Sequence, residues 1–213
     1  MRTLFSADSK FLQRFLSSGG YYQGDIDGDV GPTTRAALGQ FDADAKQVAD
    51  ELGSFDKQTE ATIRSMLIPT QRKAREFMKN IAQAKLSHGL TVRIISGTRT
   101  YEEQNEIYAK GRTKSGNIVT NARGGYSNHN FGIAWDVGIF NEKREYIDVL
   151  IKKKKMTSKA VDAEYKKVGT YGKSLDLFWG GDWTKPDYPH FQMRDNHELT
   201  SIRSAFDAGQ KIV

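Results

Sequence analysis

The sequence predicts an α+β protein in which helices come first and a mixed domain of short strands and helices follows. Two observations predict it. As far as about residue 67 the apolar residues recur at helical spacing, with Phe11, Leu12, Phe15 and Leu16 marking the first buried face. Beyond Pro69, short strand-like stretches stand among helical ones, the pattern of an α+β domain.

Taken in order, Asp8 is placed to cap the first helix and Gly19-Gly20 to end it. In Gly24-Asp-Ile-Asp-Gly-Asp-Val-Gly-Pro32 the Asp27-Gly28 pair offers a turn with positive φ. Pro32 then suits the first position of a helix through Ala36, Ala37, Leu38 and Phe41. An internal echo follows, since Val30, Thr34, Ala36 and Leu38 align with Phe55, Thr59, Ala61 and Ile63, which implies two similar turn-plus-helix units. Pro69 is expected to end one helix and Thr70 to cap the next. That places the boundary between a domain over 1–67 and a second over 70–213.

In the second domain Ala74, Phe77, Met78, Ile81 and Ala84 recur at helical spacing and Gly89 closes the stretch, with His88 as an ordinary helix-end cation. Thr91 to Ile95 alternates as a strand. In Ser96-Gly-Thr-Arg-Thr-Tyr-Glu-Glu-Gln104 the strand hands over to a helix, Thr100 and Glu103 forming a capping box. Arg99 is thereby fixed at a strand-to-helix corner, where side chains tend to point into a site. Gly111 to Gly125 reads as a long loop. Gly132 to Phe140 reads as a strand with Ala134 and Asp136 on one face and Trp135 and Val137 on the other. A charged helix from about Ser158 to Lys167, short strands near Phe178 and over His190 to Met193, and a closing helix from His197 to Ala208 complete the chain.

Composition narrows the function classes. A chain of 213 residues fits one catalytic domain plus a compact accessory one, and an apolar share of 38% is enough to build a core. No stretch approaches the roughly 18 to 20 uninterrupted apolar residues of a membrane span, so stable membrane insertion is not expected. Met1 to Gly20 lacks the basic start and apolar run of a Sec-type signal peptide. Cysteine is absent, so metal binding must use His and carboxylate. The net charge of +6 favours an anionic partner. The densest basic run, Lys152 to Lys155 with Lys159, Lys166 and Lys167, has no interleaved aromatics and no nucleic-acid motif, so it reads as a solvated face and nucleic acid is not an expected partner.

The chemistry concentrates in two of the four histidines. His129 and His190, with Asp136, supply a three-ligand zinc site. His129 and Asp136 flank Gly132, so a loop residue and a strand residue can converge on one ion. Zinc held by three protein ligands keeps a position open for water and lowers its pKa to about 7. Asp187, three residues before His190, suits a general base for that water, and Pro189 stiffens the connection.

Two resemblances follow from these motifs. Phe11-Leu-Gln-Arg-Phe-Leu16, Gly24 to Pro32, Thr34-Arg-Ala-Ala-Leu38 and Phe41 resemble the three-helix peptidoglycan-binding domain, although Phe41-Asp42 departs from its usual Phe-Gln. Ser127-x-His129-x-x-Gly132-x-Ala134-x-Asp136 with Asp187-x-x-His190 resembles the zinc peptidases of the D-alanyl-D-alanine carboxypeptidase and VanY/VanX group. Within it, the Ser96 to Gln104 corner, Tyr108-Ala-x-Gly-Arg112, Trp179-Gly-Gly-Asp-Trp183 and an Asp base look like the L-alanyl-D-glutamate endopeptidase branch, phage endolysins above all. The resemblance implies a small antiparallel sheet with flanking helices, the zinc D-Ala-D-Ala peptidase and hedgehog-like fold, behind a three-helix all-α domain. It implies zinc on His129, Asp136 and His190, Asp187 as proton shuttle and Arg99 as electrophilic helper to the oxyanion. Ser127, Gln104, Trp179 and Asp182 are its candidates for substrate or cleft contacts.

The expected protein is a monomeric zinc hydrolase that cuts the L-alanyl-D-glutamate bond of bacterial peptidoglycan. It is expected to wait in the host cytoplasm until a holin lets it reach the wall. The alternatives are a D,D-carboxypeptidase or dipeptidase releasing D-alanine, and a non-catalytic wall-binding protein. Residue by residue, Arg99 in a plain salt bridge, Asp187 as a turn cap, and packing roles for the tryptophans are the competing readings. His197 is read as structural, at the start of the last helix.

Overall fold

The computed structural model describes residues 4–87 and 89–213; His88 lies outside them. Helix α1 (Ser9–Ser18) starts where Asp8 Oδ1 accepts the Phe11 N–H at 2.9 Å and stops at Gly19. Gly28 turns the chain at φ 88°, and α2 (Pro32–Leu52) opens on the proline. Helix α3 (Lys57–Ile63) is capped by Asp56. The internal echo has a structural counterpart: Thr34 in α2 and Thr59 in α3 are both buried one turn into their helices.

Helix α4 (Ile68–Ile81) starts earlier than expected. Pro69 lies in its first turn instead of ending the preceding helix, and Leu67, not Thr70, is the N-cap. The physical reason is that a first-turn proline sacrifices no intrahelical hydrogen bond. The Leu67 N–H instead reaches across to the Gly132 carbonyl at 3.0 Å.

The sheet contains β1 (Thr91–Ser96), β2 (Ala134–Phe140), β3 (Phe178–Trp179) and β4 (His190–Gln192), in the order β1-β2-β4-β3 with antiparallel neighbours throughout. Helix α5 (Tyr101–Ala109) follows β1 through the expected Thr100–Glu103 capping box. Two helices differ from expectation. A short α6 (Ile147–Lys152) enters the lysine run by burying Ile147 and Leu150. Helix α7 (Ser158–Lys173) continues beyond Lys167, because Val168, Gly169 and Gly172 pack on the sheet. A Cβ on Gly169 would stand 2.5 Å from the Trp179 ring and one on Gly172 2.2 Å from Phe191, so only glycine permits this approach. Helix α8 (Leu199–Asp207) closes the fold after a 3-10 turn that contains His197.

Two apolar clusters hold these elements. Trp135, Val137 and Ile139 of β2 pack with Phe77 of α4, Val168 of α7 and Phe191 of β4. The second cluster joins Phe11, Phe15 and Leu16 of α1 and Phe41 of α2 to Phe131, Ile133, Ile202 and Phe206. The N-terminal helices therefore share a core with the turn that carries His129, and Ile133 extends it to the start of the Asp136 strand. Arg75 of α4, with a fully buried side chain, reinforces the junction by binding both Glu60 carboxylate oxygens at 2.8 and 2.9 Å and the Gly53 carbonyl at 2.7 Å. Among the described residues no helix is long and apolar enough to cross a membrane.

Candidate metal centre

Strand register builds most of the site. Asp136 on β2 pairs directly with His190 on β4 and with Ser96 at the end of β1. Alternation sends Trp135 and Val137 into the core and leaves Asp136 on the opposite face. His129 arrives from a 3-10 turn, Asn128–Phe131, which Gly132 closes in the left-handed region at φ 69°. A side chain at Gly132 would strike Phe15 at 2.8 Å and the Leu67 backbone at 3.1 Å, so the turn is seated against α1.

The three side chains converge. His129 Nε2 lies 3.1 Å from Asp136 Oδ1 and 3.2 Å from His190 Nδ1, and the latter is 3.1 Å from the same carboxylate oxygen. Both imidazoles are locked from behind. His129 Nδ1 is 2.7 Å from the Gly97 carbonyl, which can only accept, so that nitrogen carries the proton. On the other side the Gln192 amide nitrogen donates to the Arg194 carbonyl at 2.7 Å, which turns Gln192 Oε1 toward His190 Nε2 at 2.9 Å and makes Nε2 the protonated nitrogen. Asn128 Nδ2 donates to the same Oε1 at 2.9 Å.

Two imidazole lone pairs and one carboxylate oxygen thus face one another. Without a cation such a set is repulsive. The separations match what a metal requires: bonds of about 2.0 to 2.1 Å in a tetrahedron put ligand atoms roughly 3.3 Å apart. His129, Asp136 and His190 fit a divalent cation by donor type, spacing and the hydrogen bonds behind each ring. Burial pushes the His129 pKa down, keeping it neutral as a ligand must be. For Asp136 burial acts upward, yet the facing His129 and His190 hold its carboxyl well below the ordinary range. For His190 burial acts downward, but Asp136, Gln192 and Asp187 raise it. A proton on His190 therefore competes with the metal.

Arg99 and Asp187 flank the set. The Arg99 N–H donates to the His129 carbonyl at 3.1 Å and its own carbonyl accepts from Asn130 Nδ2 at 2.9 Å, so its backbone is clamped. Its Nη2 stands 3.8 Å from Asp136 Oδ2, and its buried Nε–H has no partner among the described residues. Burial lowers its pKa against the pull of Asp136, Asp187 and Glu103. Asp187 opens toward solvent, and its backbone is held in a tight turn by Asp187 N–H to Gly180 O at 2.9 Å and His190 N–H to Asp187 O at 3.1 Å. The residue as a whole is exposed, but its carboxyl feels the site: partial desolvation and the Asp136 charge raise its pKa, while His190 and Arg99 pull it down.

The other expected site residues fall elsewhere. Ser127 stands at the start of the 3-10 turn that carries His129, where its carbonyl, not its side chain, accepts the Asn130 N–H at 2.9 Å. Gln104 is buried, and its amide donates to the Ala122 carbonyl at 2.8 Å, anchoring the long loop. Trp179 is buried in the sheet cluster with Nε1 donating to the Tyr188 carbonyl at 2.9 Å, and so supports the turn before His190. Asp182 forms an exposed ion pair with Lys173 at 3.1 Å. His197 is likewise exposed, paired with Asp195 at 2.6 Å.

Sequence reasoning missed several contributors. Gln192 was findable, since a residue two along a strand from His190 shares its face. Gly97 and Gly180 were not. A Cβ on Gly97 would meet Ser65 Oγ at 2.7 Å and the Thr62 carbonyl at 2.8 Å, and one on Gly180 would meet the Asp187 carbonyl at 2.5 Å. Trp183 covers His190 with ring centroids 5.1 Å apart.

A family model described as D-alanyl-D-alanine carboxypeptidase matches residues 120–193, and one described as a peptidoglycan binding domain matches residues 6–63. The peptidoglycan L-alanyl-D-glutamate endopeptidase CwlK of Bacillus subtilis (strain 168) is 37% identical over 135 residues, which are 63% of this chain and 77% of that protein. Among solved structures, the L-Ala D-Glu endopeptidase ChiX of Serratia marcescens overlays with a TM-score of 0.42 at 20% identity, covering 66% of this chain and 89% of that one.

Proposed function

The chain belongs to the D-alanyl-D-alanine carboxypeptidase family of metallopeptidases, and from that premise we propose that it is a zinc-dependent endopeptidase hydrolysing the L-alanyl-D-glutamate bond of the peptidoglycan stem. The observation that carries the reading is the convergence of His129 Nε2, His190 Nδ1 and Asp136 Oδ1 with both ring tautomers fixed from behind. The identity to an L-alanyl-D-glutamate endopeptidase supports the choice of bond.

Zinc held by this set supplies Lewis acidity and a water of lowered pKa. The rest falls to the chain. Asp187, with a carboxyl pKa raised by burial and by Asp136, accepts the proton of the attacking water and returns it to the leaving amine. Arg99 brings a guanidinium with an unfilled Nε–H to the edge of the site, where it stabilises negative charge developing on the carbonyl oxygen. Trp183 and the Gly180 turn keep bulk water from His190 and hold Asp187 in register. The helices over 6–63 bind the wall and raise the local substrate concentration.

We read the protein further as a phage lysin, stored in the host cytoplasm and admitted to the wall by a holin. The pairing of wall-binding helices with a hydrolytic centre supports this reading. Lysis on co-expression with a holin, and none without it, is the expected behaviour.

Mass spectrometry of digested peptidoglycan tests the reaction. New amino-terminal D-glutamate on the released fragments is expected. Release of free D-alanine would instead mark a D,D-carboxypeptidase, and intact peptidoglycan a wall-binding protein.

A further inference from the structure

An open cleft of about 370 Å³ lies between α3 and the β1–α5 corner, lined by Gln58, Ala61, Thr62 and Ser65 on one side and by Ile95, Thr98 and Arg99 on the other. It continues directly from the residue placed beside the metal ligands. The two walls are bolted together. Ser65 Oγ accepts the Thr98 N–H at 3.2 Å while donating to the Thr62 carbonyl at 2.7 Å, and Gly97, whose carbonyl fixes His129, admits this contact only because it lacks a side chain. Arg75 holds α3 from behind through Glu60.

We propose that α3 forms one wall of the substrate cleft, as a subsite for a neutral, amide-bearing segment of the substrate beyond the scissile bond. The inference rests on the reading of the substrate as a peptidoglycan stem peptide. The Gln58 amide and the Thr62 and Ser65 hydroxyls share the lining with apolar Ala61 and Ile95, and its charges, Arg99 and Glu103, offset each other. That suits peptide amides and disfavours an anionic polymer. The wall-binding helices then do more than tether: they help choose which part of the stem enters.

The test uses the full chain carrying Ala61→Trp, which fills the cleft from an exposed position on α3. Two soluble substrates exclude tethering to the wall: a muropeptide with its complete stem, and a short peptide containing little beyond L-alanyl-D-glutamate. The ratio of KM for the complete stem to KM for the short peptide is expected to rise about tenfold, the equivalent of about 1.4 kcal/mol of lost binding. Should the tryptophan lower Tm, Gln58→Ala decides on the same two substrates, with a smaller shift in the same direction. A ratio unmoved in both variants, with the unmodified chain active, overturns the subsite alone. An unmodified chain that cleaves neither substrate at this bond overturns the proposed function and the subsite with it.

Discussion

Gln192 Oε1 stands 2.9 Å from His190 Nε2 and leaves Nδ1 of that ring to face His129 and Asp136. The contact is set two steps away, where the Arg194 carbonyl claims the Gln192 amide nitrogen. Replacing Gln192 with Met keeps the approximate volume and removes the acceptor. Zinc affinity is expected to fall about 10- to 100-fold, the usual cost of losing such an orienting partner. Competition against a chromophoric chelator measures it, and unchanged affinity would detach Gln192 from the centre.

Asp187 illustrates function held against stability. Its folded pKa is raised, so the folded state binds its proton more tightly than the unfolded chain does. Solvent around this exposed residue screens the effect, so the ionised carboxylate disfavours folding only slightly at neutral pH, and the penalty fades as pH falls through the folded pKa. In chelated protein at pH 7, Asp187→Asn should raise Tm while turnover, measured with zinc restored, drops by about 10²- to 10⁴-fold. A lower Tm with full activity would reverse both assignments.

The shared core is expected to make the chain unfold as one cooperative unit. Phe15 of α1 is fully buried against the elements that carry His129, so Phe15→Ala should cost about 3 to 5 kcal/mol and lower zinc affinity as well. Calorimetry of the unmodified chain is expected to give a single transition. Two separate transitions, with Phe15→Ala moving only one, would mean that the helices unfold independently of the catalytic domain.

Gly132 ties that core to the centre through its left-handed backbone. Gly132→Ala is expected to destabilise by more than about 1 kcal/mol, since the new Cβ adds a clash with Phe15 to the conformational cost. Urea denaturation checks this, and a stability change within about 0.5 kcal/mol, typical of an innocuous surface site, would contradict it.

What the sequence revealed followed local rules. Asp8, Asp27-Gly28, Pro32 and the Thr100–Glu103 pair announce themselves by residue type, and strand alternation alone put Asp136 opposite Trp135. The convergent trio of His129, Asp136 and His190 was legible as a candidate because few residue types can bind a cation and cysteine is absent. The helix start at Pro69 was misread because a proline signals both an end and a first turn. The roles of Gly97 and Gly180 were illegible: each is defined by a neighbour distant in the chain, such as Ser65 or Asp187, and a glycine carries no mark of what approaches it. The same holds for the burial of Trp179 and Gln104, which tertiary packing decides.

The most direct test of the metal centre is a long-range ¹H–¹⁵N spectrum of the imidazole nitrogens, recorded before and after one equivalent of zinc. Coordination through Nε2 of His129 and Nδ1 of His190 is expected, with the opposite nitrogen of each ring protonated. Coordination through the same nitrogen in both rings, or resonances unmoved by zinc, would contradict the account.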